Sequence, residues 1–271
     1  MAFYRRSEDF RRYSAESHEA LQRLRKVLRD DGRNFGRSLL DLGCGGGALA
    51  RLYEGRGRRY VGIDTNSDMI HEARRSAHAR GSSASFLLAD ARRVRLVGRF
   101  DTVVMLGNAL SHLTTQDFLQ VLRRLSGHLR PSARFIVDYR DTVQLFFDRK
   151  WGRHYVQHKG SHRVVSTTRG IDLRRGEVLI VSRTDGVRGS VPHSQTIWSP
   201  FVLEPLMASQ GWRLVHRTPE RHWSGWRDVY QYECIEVRQD RGGGTRRGKR
   251  TRKQSAPDSP PTRISAARTH F

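Results

Sequence analysis

Ser38-Leu-Leu-Asp-Leu-Gly-Cys-Gly-Gly-Gly47 is the stretch that decides the fold of this chain of 271 residues. A short apolar run ends in glycines at positions 43, 45 and 47, and a helical pattern begins at Ala48. Glycine lets the backbone turn tightly and approach a ligand closely, at the point where the first N–H groups of a helix have no partner. The stretch therefore predicts a strand, a ligand-binding loop and a helix.

Strand and helix patterns alternate after this loop. Apolar runs predict further strands at 60–63, 85–88, 100–106 and 133–139. Apolar residues at helical spacing predict helices at 67–79 and 115–129, and another before the loop at 17–28. The run at 100–106 is nearly continuous, which is typical of a strand buried on both faces of a parallel sheet. The alternation predicts right-handed crossovers and a Rossmann-like, doubly wound α/β fold.

The pattern changes after Arg140. Residues 152–196 alternate β-branched, aromatic and polar residues between turn signals such as Arg175-Gly176 and Asp185-Gly186. This predicts an antiparallel insertion at about 151–198, after the fifth strand. A last helix is predicted at 201–209, with Gly211 in a C-cap position. Two more strands are predicted at 212–216 and 228–237.

The C-terminal part of the chain differs in composition from the rest. The net charge of the chain is +23, and residues 238–271 carry ten basic and two acidic side chains with almost no large apolar residue. Such a segment cannot bury enough surface to offset its ordering entropy. We therefore predict one domain at 1–237 and a disordered basic tail at 238–271. Contact between the tail and nucleic acid is one interpretation of this charge. A compositional bias is the alternative, because basic residues are scattered throughout the chain.

Composition also narrows the class of protein. The two cysteines, Cys44 and Cys234, form no CxxC pair, so neither a disulfide framework nor a cysteine-based zinc site is expected, and no metal site is predicted. The first residues carry no secretory signal pattern, and no run has the length of a membrane span. We expect a cytoplasmic protein without membrane association, and the sequence leaves homo-oligomerisation open.

An aspartate stands at or just after the end of each of the first three strands, and these three residues suggest the ligand of the loop. Gly43, Gly45 and Ala48 also fit the GxGxxA form of a dinucleotide-binding fingerprint, so a nicotinamide or flavin enzyme is the alternative. Asp41, however, places a carboxylate where it can orient an ammonium. Asp64 can accept hydrogen bonds from both hydroxyls of a ribose. Asp90, in Leu-Leu-Ala-Asp-Ala, can accept one from the exocyclic amine of adenine, with Ala91 offering a backbone contact.

With these residues the sequence resembles the class I S-adenosylmethionine-dependent methyltransferases. Their motif DxGxGxG matches Asp41, Gly43, Gly45 and Gly47 in full, and the order of elements fits the family's seven-stranded sheet with its final antiparallel strand. The resemblance implies S-adenosylmethionine as the cofactor. It also implies that Leu106 and Gly107 line the methionine portion and that Met69 packs on the adenine. An ordinary apolar position on the second helix explains Met69 equally well.

Two further stretches are similar to small-molecule amine methyltransferases, especially the glycine N-methyltransferase group. Met105-Leu-Gly-Asn-Ala-Leu-Ser-His-Leu113 and Asp138-Tyr-Arg-Asp141 stand where that group has LGNSFAHL and DHRN. The resemblance implies that Arg140 binds the carboxylate of the substrate and that Asn108 lies beside the methyl acceptor. Tyr13 and Tyr155 fall where the family has aromatic residues over the cofactor and acceptor.

The second stretch also departs from that group. Tyr139 replaces its histidine and Asp141 replaces its asparagine, which puts the identity of the acceptor in doubt. Arg140 has a purely structural alternative, a salt bridge to Asp138 or Asp141. The leading hypothesis is N-methylation of a small carboxylate-bearing amine. The alternatives are an RNA or protein methyltransferase that uses the basic surface, and a nucleotide-binding protein without catalytic activity.

Overall fold

A computed structural model describes residues 35–53, 55, 57–147, 154–159, 162–186, 188–218, 221–222 and 225–235. It describes the backbone alone at 154–155, 157–159, 162, 221–222 and 225–228. The predicted helix at 17–28, Tyr13 and the predicted tail from residue 238 lie outside these ranges, so their predictions remain untested. No helix in the described ranges is long and apolar enough to cross a membrane.

The elements of the described residues follow in chain order. The strands are β1 (Ser38–Leu42), β2 (Arg59–Asp64), β3 (Ser85–Leu88), β4 (Phe100–Met105), β5 (Leu129–Arg140), β6 (His154–Lys159), β7 (His162–Asp172), β8 (Glu177–Thr184), β9 (Val191–Thr196), β10 (Trp212–Thr218), β11 (Arg221–His222) and β12 (Gly225–Cys234). The α-helices are α1 (Ala50–Tyr53), α2 (Ser67–Ala79), α3 (Thr115–Leu125), α4 (Thr142–Phe147) and α5 (Pro200–Ser209). Short 3-10 helices span Ala109–His112 and Ser126–His128.

Seven strands form the main sheet in the order β10-β12-β5-β4-β1-β2-β3, and β11 pairs with β12 at its margin. The pairs among β1 to β5 are parallel, whereas β12 runs antiparallel to β5 and β10 antiparallel to β12. The predicted Rossmann-like sheet of seven strands is confirmed. Strands β1 and β4 are neighbours, so the strand order reverses between them. Open α/β sheets bind ligands at the carboxyl ends of the strands at such a point.

Four antiparallel strands, in the order β6-β7-β8-β9, form a second sheet. Their place in the chain, between β5 and β10, confirms the predicted insertion. Gly176 and Gly186 have φ angles of +64° and +76° in the turns that were predicted from Arg175-Gly176 and Asp185-Gly186. At the end of the insertion, the indole N–H of Trp198 donates to the Leu113 carbonyl at 3.2 Å, which ties the returning chain to the segment after β4.

Several predicted boundaries were wrong. Helix α3 ends at Leu125, not at 129, and β5 begins at Leu129, not at 133. Leu129 pairs with Phe100, and the register then shifts before Thr102 pairs with Arg134. This irregularity, with Ser132 at φ +57°, lets the strand pass Pro131, which has no N–H to donate to a ladder.

The other boundary differences are smaller. Helix α1 begins at Ala50 and has four residues, because turns occupy the positions after Gly45. Strand β4 ends at Met105, and β12 covers Gly225–Cys234 instead of 228–237. The loop that was predicted to open directly into a helix is therefore longer, and its N–H groups are placed by turns.

Strand β2 passes close beneath the glycine loop at Gly62. A Cβ added at Gly62 would lie 2.8 Å from Cys44 Sγ and 2.9 Å from both Cys44 Cβ and Phe86 Cδ1. Distances under 3 Å are repulsive, so one of these neighbours would have to move. The absence of a side chain at Gly62 thus allows β1, β2 and the loop to pack together.

We expect Gly62→Ala to lower the free energy of unfolding by about 1–3 kcal/mol, the usual cost of overpacking a core. Gly127→Ala is the matched control, because a Cβ added at Gly127 meets nothing within 4 Å. Urea unfolding of both variants measures the difference. Equal stability of the two variants would mean that the contact at Gly62 does not constrain the fold.

Candidate active site

The glycine loop is fastened to the end of β2 by its own N–H groups. The N–H groups of Gly43 and Cys44 donate to the Ile63 carbonyl at 2.8 and 3.0 Å, and the Gly45 N–H donates to Asp64 Oδ2 at 2.9 Å. The φ angles of Gly43, Gly45 and Gly47 are +79°, +52° and +78°. Three left-handed residues at alternate positions require glycine, and they explain why the motif has this spacing.

Asp41 is the buried carboxylate of the site. It is 4% exposed on β1, and Tyr60 donates its hydroxyl to Asp41 Oδ2 at 2.5 Å. Burial and the nearby negative charge of Asp64 raise the pKa of Asp41 to about 7, and the bond from Tyr60 opposes this rise. Asp41 thus exchanges its proton near neutral pH. Tyr60 was not predicted, since its contact with Asp41 depends on the pairing of β1 with β2.

Asp64, at the end of β2, is held by backbone donors on both oxygens. Its Oδ2 accepts from Gly45 and its Oδ1 accepts from the N–H of Asn66 at 2.8 Å. Burial raises the pKa of Asp64, while these N–H donors work in the opposite direction. The N–H of Thr65 is a third backbone donor to this carboxylate, which has about four acceptor positions, so one position remains for a hydroxyl. Met69, in the first turn of α2, is 3% exposed, which fits both of its predicted roles.

Asp90 follows β3 and is in contact with a side chain that was not predicted. Arg92 donates to both oxygens of Asp90, with its Nε at 2.9 Å from each and one terminal nitrogen at 2.6 Å from Oδ2. These bonds hold the pKa of Asp90 below its usual value. The Ala89 N–H donates to the Asp64 carbonyl at 3.0 Å, which ties the chain just before Asp90 to the end of β2. Ala91 is half-buried beside Asp90.

Asn108 joins the ends of β4 and β5. Its backbone N–H donates to Asp138 Oδ1 at 2.8 Å, and its Oδ1 accepts the backbone N–H of Arg140 at 3.0 Å. Its Nδ2 donates to Ser111 Oγ at 3.0 Å. Asn108 lies at φ +65°, a conformation that asparagine tolerates better than most residues. Both ends of the amide are therefore bonded within the protein.

The register of the sheet places Arg140 on the same face as Asp41. Asp41 pairs with Val104, and Val104 pairs with Ile136, so these three residues form one row across β1, β4 and β5. Arg140 lies four residues beyond Ile136, on the same face and about 13 Å further along the strand. Its side chain is half-buried.

The two substitutions in the motif around Arg140 have structural explanations. Tyr139 points to the opposite face of β5, where it is 1% exposed and stacks on Tyr230 with ring centroids 5.1 Å apart. Asp141 Oδ1 accepts the N–H of Gln144 at 3.0 Å, at the start of α4. Neither substitution changes the face of the sheet on which Arg140 lies.

The structure brings most of the predicted residues to one edge of the sheet. Asp41, Asp64 and Asp90 end or follow three neighbouring strands, and Leu106 and Gly107 follow β4 beside them. A Cβ added at Gly107 would meet nothing within 4 Å, so this position faces open space. Tyr155 is in β6 opposite Ser166, but its side chain lies outside the described residues. In the part of the chain that the structure describes, no group of His, Cys, Asp or Glu could hold a metal ion.

This set of acceptors fits S-adenosylmethionine. Asp41 offers a carboxylate to an ammonium, Asp64 offers one to the ribose hydroxyls, and Asp90 offers one to an amine. The three carboxylates stand along the sheet edge in the same order as their partners along the cofactor, from the amino acid to the base.

Asp41 makes stability depend on pH. Because its pKa is about 7 in the folded chain against 3.8 ordinarily, the folded state binds the proton more tightly. Its contribution to stability is thus full below about pH 4 and is lost as the pH rises through 7, by up to about 4 kcal/mol. We expect Asp41→Asn to stabilise the ligand-free protein by up to about 4 kcal/mol at pH 8 and to have little effect near pH 4. Urea unfolding at the two pH values measures this, and an equal effect at both would contradict the assigned pKa.

Comparison with known proteins agrees with this geometry. Residues 39–132 match the family described as Methyltransferase domain. A Cypemycin N-terminal methyltransferase from Streptomyces sp is 27% identical over 180 residues, which are 64% of this chain and 71% of that protein. A Ubiquinone biosynthesis O-methyltransferase from Aeromonas salmonicida (strain A449) is 29% identical over 117 residues, 42% of this chain. The chain spans about half the length of this second relative, 48%.

Solved structures share the fold. An S-adenosylmethionine-dependent methyltransferase from Clostridium acetobutylicum ATCC 824 superposes with a TM-score of 0.65 and 14% identity, over 79% of this chain and 91% of that one. The matched domain contains the glycine loop and all three aspartates. Residues 39–132 therefore match a methyltransferase domain, and the described residues share the fold of a solved S-adenosylmethionine-dependent methyltransferase.

Proposed function

We propose that the protein N-methylates a small amine that carries a carboxylate, and that Arg140 binds this carboxylate. The observation that supports the proposal is the place of Arg140, which ends β5 on the face of Asp41 and beyond it along the strand. A guanidinium can bind a carboxylate through two parallel hydrogen bonds, which fixes orientation as well as position. An acceptor held there lies on the side of the site away from the adenine-binding end.

Asn108 has a positioning role in this proposal. Its Oδ1 accepts the Arg140 N–H and its Nδ2 is bonded to Ser111, so the amide holds the end of β5 against the segment after β4. The backbone of Asn108 is in turn fastened to Asp138. In this proposal Asn108 would lie beside the acceptor, the position that the resemblance implies, and would act on it by fixing the backbone of Arg140.

S-adenosylmethionine supplies a methyl carbon that is already activated by its positively charged sulfur. The chain contributes binding and alignment. Asp41 would bind the ammonium of the cofactor, Asp64 the ribose hydroxyls and Asp90 the adenine amine. Arg140 would hold the acceptor so that the lone pair of its neutral nitrogen faces the methyl carbon. A new N–C bond forms as the S–C bond breaks, and the surplus proton of the amine leaves to water.

A peptide N-terminus is a second candidate acceptor. The relative from Streptomyces sp is, by its name, an N-terminal methyltransferase, and it matches this chain over 64% of its length. An N-terminus is also an amine, but its α-carbonyl is an amide, which carries no charge for Arg140 to bind. The two candidates therefore differ in whether activity requires a free carboxylate near the amine.

Arg140→Ala should raise the KM for a carboxylate-bearing amine about 10- to 100-fold, since a hydrogen bond to a charged group contributes about 1.5–3 kcal/mol. The purified protein would be incubated with S-adenosylmethionine and with matched acceptors: amino acids, their methyl esters and short peptides. Formation of S-adenosylhomocysteine reports methyl transfer. Affinity for S-adenosylhomocysteine should stay unchanged in the variant.

Arg134→Ala is the matched control, because Arg134 lies on the same strand and face, six residues before Arg140 and away from the strand end. It should leave the KM unchanged. Equal methylation of acids and esters by the unaltered protein would contradict a carboxylate site at Arg140. Methylation of peptides alone would favour the second candidate.

A further inference from the structure

Arg92 connects two acidic side chains from separate parts of the chain. Its Nε and one terminal nitrogen bind Asp90, and its other terminal nitrogen lies 2.8 Å from Asp117 Oδ1. The backbone N–H of Arg92 also donates to Asp90 Oδ1 at 2.9 Å. The side chain of Arg92 is 36% exposed and that of Asp90 28% exposed. The guanidinium therefore spans the gap between the segment after β3 and α3.

Asp117 provides a rigid support for the guanidinium. It is the third residue of α3, and its Oδ2 accepts the N–H of Thr114 while Thr114 Oγ1 accepts the N–H of Asp117. This reciprocal capping box fixes the carboxylate of Asp117 relative to the helix. A planar guanidinium with one edge on Asp117 and another on Asp90 transmits that orientation to Asp90.

The bonds from Arg92 still leave Asp90 able to bind one more donor. The N–H of Arg92 and the Nε–H reach Oδ1, the Nε–H is shared with Oδ2, and one terminal N–H reaches Oδ2. Three hydrogens thus occupy a carboxylate that has about four acceptor positions. Because the Nε–H is shared between the two oxygens and counts once, the carboxylate can accept one further hydrogen, which matches one N–H of an exocyclic amine.

We propose that Arg92 is a positioning residue that orients Asp90 to accept the 6-amino group of the adenine and so determines the selectivity of the site for that base. The proposal rests on the proposed contact between Asp90 and the adenine amine. Stability alone is a weak explanation of the arrangement, because partly exposed ion pairs contribute little to folding. Asp90 follows an edge strand of only four residues. Without Arg92 it loses every side-chain donor that the structure assigns to it.

The test compares two ligands that differ at the base. S-adenosylhomocysteine carries the 6-amino group, whereas S-inosylhomocysteine carries an oxygen in its place, which cannot donate to a carboxylate. Calorimetric titration of the full chain with each ligand gives the ratio of their dissociation constants. We expect the unaltered protein to prefer the adenine ligand at least about tenfold, the value of one charged hydrogen bond. In Arg92→Ala the ratio should fall to about three or less.

Two more variants separate positioning from charge and folding. Arg93→Ala removes the neighbouring positive charge, which also acts on Asp90, without removing a bond to its carboxylate, and should keep the full ratio. Asp117→Ala removes the acceptor that faces Arg92, and should lower the ratio although Arg92 is present. Thermal unfolding without ligand shows whether each variant is folded.

The outcomes distinguish this proposal from the proposed function. A full ratio in folded Arg92→Ala would overturn the role of Arg92 and leave the methyltransferase function intact. Equal binding of both ligands by the unaltered protein would overturn the contact of Asp90 with the amine, and the role of Arg92 with it. Failure to bind either ligand would overturn the cofactor assignment itself.

Discussion

Three consecutive N–H groups of the glycine loop donate to the end of β2, two to the Ile63 carbonyl and one to the Asp64 carboxylate. The loop can reach these acceptors because its glycines adopt positive φ angles and because Gly62 leaves room for Cys44. The bond from Gly45 also fixes the orientation of the Asp64 carboxylate. The pairing of β1 with β2 brings Asp41 within reach of Tyr60, which stabilises a carboxylate that burial would otherwise protonate more strongly.

The site has a cofactor-binding part and an acceptor-binding part, built by different strands. The ends of β1, β2 and β3 carry the three aspartates. These are oriented in turn by Tyr60, by the loop and by Arg92, which itself is bonded to Asp117 on α3. The ends of β4 and β5 are joined by Asn108, whose amide bonds both to Ser111 and to the backbone of Arg140. Short polar links of this kind hold the edge in shape before a ligand binds, which methyl transfer requires because it depends on alignment.

Local patterns in the sequence predicted the cofactor-binding part well. The spacing of the glycines, the acid after each of three strands and the change from alternating helices and strands to an antiparallel insertion are all readable within short windows. The family resemblance, not the spacing, indicated Asn108 and Arg140. Helix α4 was not predicted, although the sequence contains a signal for it. Asp141 is a residue type that caps helices, and an apolar stretch follows it.

Long-range contacts account for what the sequence did not predict. The start of β5 depends on the pairing of Leu129 with Phe100 and on an irregularity at Pro131 that no local pattern shows. The partner of Asp41 depends on the register of β1 and β2. The bond between Arg92 and Asp117 joins residues 25 positions apart, across the whole of β4.

The central claim is that the loop and the three aspartates bind a sulfonium nucleoside and not a dinucleotide. Thermal unfolding in the presence of S-adenosylmethionine or S-adenosylhomocysteine, compared with NADH and NADPH, tests it most directly. At a hundred times its dissociation constant a ligand adds about 2.7 kcal/mol to stability. We predict stabilisation by the two sulfur nucleosides alone, and the loss of this stabilisation in Asp64→Ala. Stabilisation by NADH or NADPH instead would contradict it and would make the glycine loop a dinucleotide fingerprint.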